Sequence, residues 1–491
     1  MRHPSIRLAT VALLGAASCA APPPGSPPPA VTAPVGPPTA SLATLGLASV
    51  TIEGIPHVTQ RPDFCGEACV EMAERKLGRD VNQDDVFAAS KVDPALGRGA
   101  VTKELADGAR ALGFDVGAVW YSANATEPVA GLDAQFVALH QDLVRGVPSI
   151  VCMHFSERAG SPEHFRLVVG YEADTDQIVY LEPAEDEGYR RMPRARLYEL
   201  WPLKYDAATW TLIRIPLAPT TAITPSHFAT GLGPADYAEH VRSLKEHLAP
   251  GFNVRVELPF VVVGNEPPAL LASQARTTVR WAVDHLHADF FDASPREILD
   301  VWLFADADSY EAGVTSLTGE APTTPYGFYS SAHKGLFMNI ATGGGTLVHE
   351  IVHPFVEADL PRAPAWVNEG LGSLFEQSGE RNGHIVGFPN WRLPALQRTI
   401  RKGTTPTLSA LAHTTTHAFY DDDRGTNYAE ARYLMYYLQE KGLLQTFYKT
   451  LRANIDTDPT GYATLVTVLG NPDMEAFQHE WETFVSAIVP P

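Results

Sequence analysis

The chain has 491 residues and a formal net charge of −20, from 37 Lys and Arg against 57 Asp and Glu. At roughly 100–200 residues per domain this makes two or three domains, and 45% hydrophobic residues can fill more than one core. The acidic balance excludes a charge-driven nucleic-acid binder, and four cysteines in so long a chain exclude a disulfide-stapled scaffold.

Arg2 and Arg7 start the chain with positive charge, and residues 8–17 are uncharged and mostly apolar. A run of about ten such residues is too short to cross a bilayer but suits the core of a signal peptide. Ala16-Ala17-Ser18-Cys19 follows and resembles a bacterial lipobox, with Ala16 where Leu is more usual. The resemblance implies a signal peptide over 1–19 and lipid on Cys19, so that acyl chains make the only membrane contact. Ala20 is not the aspartate that retains lipoproteins in the inner membrane. An outer-membrane lipoprotein of a bacterial cell envelope is therefore expected, with a secreted or periplasmic protein as the alternative. Residues 20–49 are rich in Pro, Ala and Thr. Their proline runs lack N–H donors and favour extended geometry, which reads as a spacer. No later stretch reaches about 18 uninterrupted apolar residues, so no transmembrane helix is expected.

After Pro62, the residues Cys65, Ala68, Cys69, Met72, Ala73 and Leu77 recur at three- and four-residue steps, one apolar stripe of a helix that Gly78 ends. Cys65 stands at the helix start, where the partial positive charge favours a thiolate. Cys69 is one turn deeper and is expected in the core. A nucleophilic thiol also needs a base and an orienting group. Strands are expected at 147–153, at 165–171 with His164 at its start, and at 178–181 with Glu182-Pro183 at its end. His154 is a rival base without a following acid.

Gln60 and the run Cys65-Gly66-Glu67-Ala68 resemble the opening of the bacteriocin-processing, papain-like cysteine peptidases. Residues 164–183 resemble that family's His strand and acid-Pro turn. The resemblance implies Gln60 as oxyanion donor, Cys65 as nucleophile, His164 as base and Glu182 as the group that orients it. Gln60 is one residue closer to the Cys than in the transporter-linked members, and Glu182 stands where Asp is usual. No transporter segment follows.

A strand at 210–216 closes this part, and a Pro/Thr-rich junction from Ala218 is the expected boundary. An amphipathic helix is expected at 236–248, a strand at 254–263, a helix at 269–286, and strands at 298–304 and 336–340. His349-Glu350-Ile351-Val352-His353 then follows a glycine run. Histidines at i and i+4 share a helix face and can bind one Zn²⁺, while Glu350 beside them can take a proton from water. Three acids compete for the third ligand. Asp359 has metzincin-like spacing, but Val356 replaces the glycine needed for a chain reversal. Glu357 needs an unbroken helix, against which Pro354 argues. Glu369 lies on the apolar-periodic segment 365–376, and a second helix folding back brings it to the metal, so Glu369 is the choice.

Together with Trp366-Val367-Asn368-Glu369-Gly370, this resembles the gluzincin zinc peptidases. The resemblance implies zinc on His349, His353 and Glu369, with Glu350 as the base. Residues 427–438 resemble the family's downstream helix, from which Tyr428 is the candidate oxyanion stabiliser. His413 to His417 repeats the i, i+4 spacing without an acid and reads as a solvated loop, as does Asp421 to Asp423.

The fold expected is α+β: a papain-like cysteine peptidase domain at 50–217, then a gluzincin-like metallopeptidase domain at 218–491. The function expected is hydrolysis of peptide or protein substrates by the zinc site and by the thiol site. The alternatives are a zinc peptidase with a peptide-binding N-terminal domain, or a non-catalytic envelope adaptor.

Overall fold

The computed structural model describes residues 42, 44–186, 188–220, 231–421 and 426–490. Cys19, the signal segment and most of the Pro-rich stretch lie outside the described residues, as do Asp422 and Asp423. Among the described residues no helix is long and apolar enough to cross a membrane. The chain forms two compact units, Met1–Glu246 and His247–Pro491.

The first unit runs β1 (Val50–Thr51), α1 (Cys65–Lys76), α2 (Gln83–Ser90), α3 (Thr102–Ala111), β2 (Phe114–Asp115), β3 (Trp120–Asn124), α4 (Pro128–Val144), β4 (Ser149–His154), β5 (Glu163–Glu172), β6 (Gln177–Leu181), β7 (Tyr189–Pro193), α5 (Arg194–Leu200), β8 (Thr209–Pro216), β9 (Ala218–Pro219) and α6 (Pro234–His247). Among the described residues its main sheet is antiparallel, in the order β3-β8-β4-β5-β6-β7, with β1 added beside β5. Both faces are covered. Cys65, Ala68, Cys69 and Met72 of α1 pack with Phe165 and Leu167 on one face. Leu132, Phe136 and Leu139 of α4 pack with Val151, Met153 and Val168 on the other. This is why β4 and β5 read as nearly continuous apolar runs rather than alternating ones. The unit continues past the Pro/Thr-rich junction at Ala218, because Ala235 and Ala238 of α6 enter the core that holds α1.

The second unit runs β10 (Asn253–Glu257), β11 (Phe260–Gly264), α7 (Pro268–Gln274), a π-helical turn (Ala275–Arg280), α8 (Trp281–Asp289), β12 (Leu299–Phe304), α9 (Ala307–Thr318), β13 (Gly327–Ser330), β14 (Gly335–Asn339), α10 (Gly345–Asp359) and α11 (Ala365–Phe375). It ends with β15 (Ser378–Arg381), β16 (His384–Gly387), α12 (Leu393–Arg401), α13 (Leu408–His413), α14 (Thr416–Asp421), α15 (Asn427–Glu440), α16 (Leu444–Asn454), α17 (Tyr462–Val468) and α18 (Met474–Ala487). The five-stranded sheet has the order β10-β11-β12-β14-β13, with β13 antiparallel at one edge. Helices α10, α11 and α15 stack beside it through Ile351, Val352, Phe355, Leu371, Leu374, Leu434 and Met435.

Three expectations are corrected here. Residues 254–263 form a hairpin of β10 and β11 rather than one strand, since the chain turns at the exposed Leu258 and at Pro259. The solvated loop expected from His413 to His417 is confined to residues 414–415 between two short helices, with both histidines exposed, because Leu408, Leu411 and Phe419 are buried. Helix α10 runs unbroken through Pro354 to Asp359. Proline inside a helix costs about 3 kcal/mol. Burial of Leu347, Ile351, Val352 and Phe355 along the same helix outweighs that cost.

Candidate active sites

Cys65 is the first residue of α1 and is 1% exposed. His164 sits at the start of β5, opposite Met153 of β4, and hydrogen-bonds the Cys65 side chain. Its Nε2 contacts Glu182 Oε1 in a short hydrogen bond, so Nδ1 is the ring nitrogen left for the thiol. The extra methylene of Glu182, relative to Asp, is accommodated, because both its oxygens are held. Oε1 also accepts from Ala184 N at 3.2 Å, and Oε2 accepts from Arg166 Nε at 2.6 Å. Burial lowers the His164 pKa, but the Cys65 side chain and Glu182 outweigh it and hold the ring up to about 9. Burial raises the Glu182 pKa, yet His164 and then Arg166 bring it down to about 2.

Gln60 is tied to the acid turn, its backbone N donating to Pro183 O at 2.8 Å. Its side-chain Oε1 is buried and takes no hydrogen bond among the described residues. Burial pushes the thiols of Cys69 and Cys152 well up. His154 lies in β4, its Nδ1 3.3 Å from Ser161 O, and burial lowers its pKa. Sequence reasoning missed Arg166. It stands two residues after His164 in β5, so the two share a strand face, and that period-two spacing was the available signal.

In the second unit α10 presents His349 and His353, whose ring centroids are 4.9 Å apart. Helix α11 turns back and brings Glu369 to both. His349 Nε2 is 3.3 Å from Glu369 Oε2, and His353 Nε2 is 3.9 Å from Glu369 Oε1. One ligand atom from each of the three residues lies within 4.8 Å of the other two, a group able to hold a metal ion. Close approach of α11 requires a bare backbone at Gly372, where a Cβ would stand 3.1 Å from His349 Nε2. Burial opposes charge on Glu369, yet the two histidines and Tyr420 bring it down to about 2.

Glu350 lies beside the cluster, its Oε2 3.8 Å from His353 Nε2 and accepting the Tyr329 backbone N–H of β13 at 2.9 Å. The rival acids are engaged elsewhere. Glu357 accepts from Tyr329 OH at 2.8 Å, even though the unbroken helix keeps it on the turn after His353. Asp359 takes Arg452 Nη1 at 2.8 and 2.9 Å and Tyr448 OH at 3.0 Å. Two residues were missed from sequence. Asn368 Oδ1 lies 3.0 Å from His353 Nδ1, and Tyr420 OH donates to Glu369 Oε1 at 2.7 Å. Tyr428 lines the same cavity, with its ring 6.4 Å from that of Tyr420. The cavity has a volume of about 1250 Å³ and is lined by Tyr326, Phe328, Glu350, Trp391, Arg392 and Tyr420 among others, room for a segment of peptide.

Residues 52–208 match the Peptidase_C39 like family. The first unit therefore carries a papain-like, cysteine peptidase-like C39 domain. Two solved structures are similar to this chain. One is the peptidase domain of Streptococcus ComA, a bi-functional ABC transporter involved in a quorum-sensing pathway, at 19% identity over 33% of this chain and 99% of that chain, with a TM-score of 0.23. The other is xylellain, a cysteine protease from Xylella fastidiosa, at 11% identity over 40% of this chain and 96% of that chain, with a TM-score of 0.24. No curated protein matches the chain.

Proposed function

We propose that this protein is a peptidase with two hydrolytic sites, a thiol site in the first unit and a zinc site in the second. The observation that carries the zinc reading is the convergence of His349, His353 and Glu369, with Glu350 beside them. Two imidazole nitrogens and one carboxylate oxygen, buried and on facing helices, suit a catalytic zinc site that keeps a fourth position open. When bound, zinc supplies a Lewis acid for water and for the substrate carbonyl. Glu350 takes the proton of the attacking water and passes it to the leaving amine. Asn368 and Tyr420 hold the ligand side chains in place.

At the thiol site, His164 takes the Cys65 proton and the sulfur attacks the scissile carbonyl carbon. The Gln60 amide stabilises the oxyanion. His164 then protonates the leaving amine, and water hydrolyses the resulting thioester, restoring the thiol. Glu182 keeps the imidazole oriented throughout.

A lipid anchor on Cys19 and an outer-membrane location complete the proposal; wild type partitioning into detergent, with Cys19→Ser remaining in water, tests that part. The catalytic reading is tested by metal analysis of the purified chain together with digestion of a peptide library, with and without chelator and thiol blocker. One zinc per chain, with a chelator-sensitive and a thiol-sensitive set of cleavages, is expected. A metal-free protein whose cleavages ignore chelator would remove the zinc site.

A further inference from the structure

The family match ends at residue 208, yet α6 belongs to the first unit and grips the chain on both sides of the thiol. On one side stands Arg61, next to Gln60. Its Nη2 donates to Asp236 Oδ1 and to Glu239 Oε2, each at 2.8 Å, and its Nε donates to Glu239 Oε2 at 3.2 Å. The remaining arm of the guanidinium pairs with Asp84 of α2. On the other side Lys245 Nζ of α6 donates to Ala95 O at 2.7 Å and Leu96 O at 3.0 Å. That loop closes in turn on α1. Ala100 N donates to Glu67 Oε1 at 2.6 Å, and Gly99 passes so near Asp63 O that a Cβ would stand 2.2 Å from it.

The backbone around Arg61 is locked as well. Arg61 N donates to Gln83 Oε1 at 2.7 Å, Gln83 Nε2 donates to Thr59 O at 3.1 Å, and Phe64 N donates to Arg61 O at 3.0 Å. Gln60 is thereby set between two anchored neighbours, with its own N–H on Pro183 O. A planar fork shared among three carboxylates fixes direction as well as charge, which a lysine ammonium does not.

We propose that Arg61 is a positioning residue of the thiol site: clamped by Asp236 and Glu239 of α6, it fixes residues 59–64 so that the Gln60 amide faces the carbonyl attacked by Cys65. Helix α6 is then part of the working peptidase although it lies outside the family match. The inference rests on the cysteine-peptidase reading above.

The test uses the full chain with the double variant Asp236→Asn/Glu239→Gln, which removes the two α6 charges that meet Arg61 at constant size. Three quantities are read: peptide hydrolysis with chelator present, the rate of Cys65 alkylation by iodoacetamide, and backbone hydrogen exchange across the first unit. The expected result is a kcat about tenfold lower or more with KM changed less than about twofold. Alkylation should be unchanged, because the thiol and imidazole are untouched, and exchange should quicken at residues 59–64 only. Arg61→Lys, which keeps the charge and loses the fork, should show the same fall in kcat. Unchanged kcat with unchanged exchange would overturn the proposal. Exchange quickened throughout the unit, with alkylation and kcat altered together, would reduce Arg61 to a structural role and overturn it too. If wild type neither hydrolyses peptide nor alkylates at Cys65, the cysteine-peptidase reading fails. Exchange at 59–64 then decides separately whether α6 holds the segment, and no change there overturns the clamp.

Discussion

Asn368 Oδ1 lies 3.0 Å from His353 Nδ1, so the imidazole donates from Nδ1 and keeps its Nε2 lone pair for an ion that Glu369 would share. Asn368 immediately precedes Glu369 on α11, so one turn of helix would supply one ligand and orient another. Asn368→Ala should weaken zinc binding about 10–100-fold while leaving the fold intact. Competition against a chromophoric chelator measures it, and an unchanged affinity would show that the packing of α10 alone fixes the ring.

The acids along α10 and α11 separate into distinct roles. Glu350→Gln should retain zinc and lose hydrolysis by about 10²–10⁴-fold. Glu369→Ala should lose zinc, whereas Glu357→Ala should keep it. Asp359→Ala should keep zinc but destabilise the unit by about 2–3 kcal/mol, since it leaves Arg452 and Tyr448 without their shared acceptor. Zinc content and urea unfolding of the four variants decide this. Metal loss in Asp359→Ala with retention in Glu369→Ala would reverse the ligand assignment.

Tyr420 and Tyr428 can be told apart. Tyr420 donates to Glu369 Oε1, an acceptor that also faces His353. Tyr420→Phe should lower zinc affinity about tenfold or more, about 1.5–3 kcal/mol for one lost hydrogen bond to a charged group. Tyr428→Phe should leave affinity unchanged, and any fall in its kcat would mark an oxyanion role. Chelator competition and steady-state kinetics on both variants separate the two contributions.

The Cys65 thiol should alkylate at neutral pH faster than Cys69 and Cys152, whose thiols burial holds in the protonated form. His164→Ala should slow labelling of Cys65 alone. Peptide mapping after brief iodoacetamide treatment measures the three rates, and equal rates would remove the activated nucleophile.

The pair His164 and Glu182 sets a pH window. His164 rises from 6.5 to about 9, so its contribution to stability is full below 6.5 and is lost as pH climbs through 9. Glu182 falls from 4.5 to about 2, so its contribution is full above 4.5 and is lost as pH drops through 2. Both are whole between 4.5 and 6.5. In catalysis the imidazolium must protonate the leaving amine, so kcat/KM of the thiol site should decline above about pH 9. Glu182→Gln should move that limb toward 6.5. An alkaline limb at 6.5 in wild type would mean that neither Cys65 nor Glu182 holds the imidazolium.

The sequence was most informative where chemistry follows a short period. His349 and His353 are one helical turn apart, and the 365–376 stripe specifies a helix that can fold back, so the cluster could be drawn before any coordinates. Cys65, His164 and Glu182 were readable from the resemblance of residues 60–69 and 164–183 to the papain-like peptidases, since no short period joins them. Contacts made across the fold were not. Tyr420 reaches Glu369 from a Thr-rich stretch with weak periodicity, and Arg61 meets acids about 175 residues away that only α6 docking brings near. The hairpin at 253–264 was signalled only by Pro259, between two β-branched stretches that together read as one strand.

The clearance above Gly372 sets how this metal site tolerates change. A methyl group added there would force the His349 ring back by a few tenths of an ångström or push the two helices apart. Neither outcome alters the number of ligands, their chemistry or the net charge. A substitution there would therefore disturb the proposed site while leaving the His349, His353 and Glu369 signature intact. The spacing of α10 and α11 is thus read at position 372 as well as at the three side chains that would hold the ion.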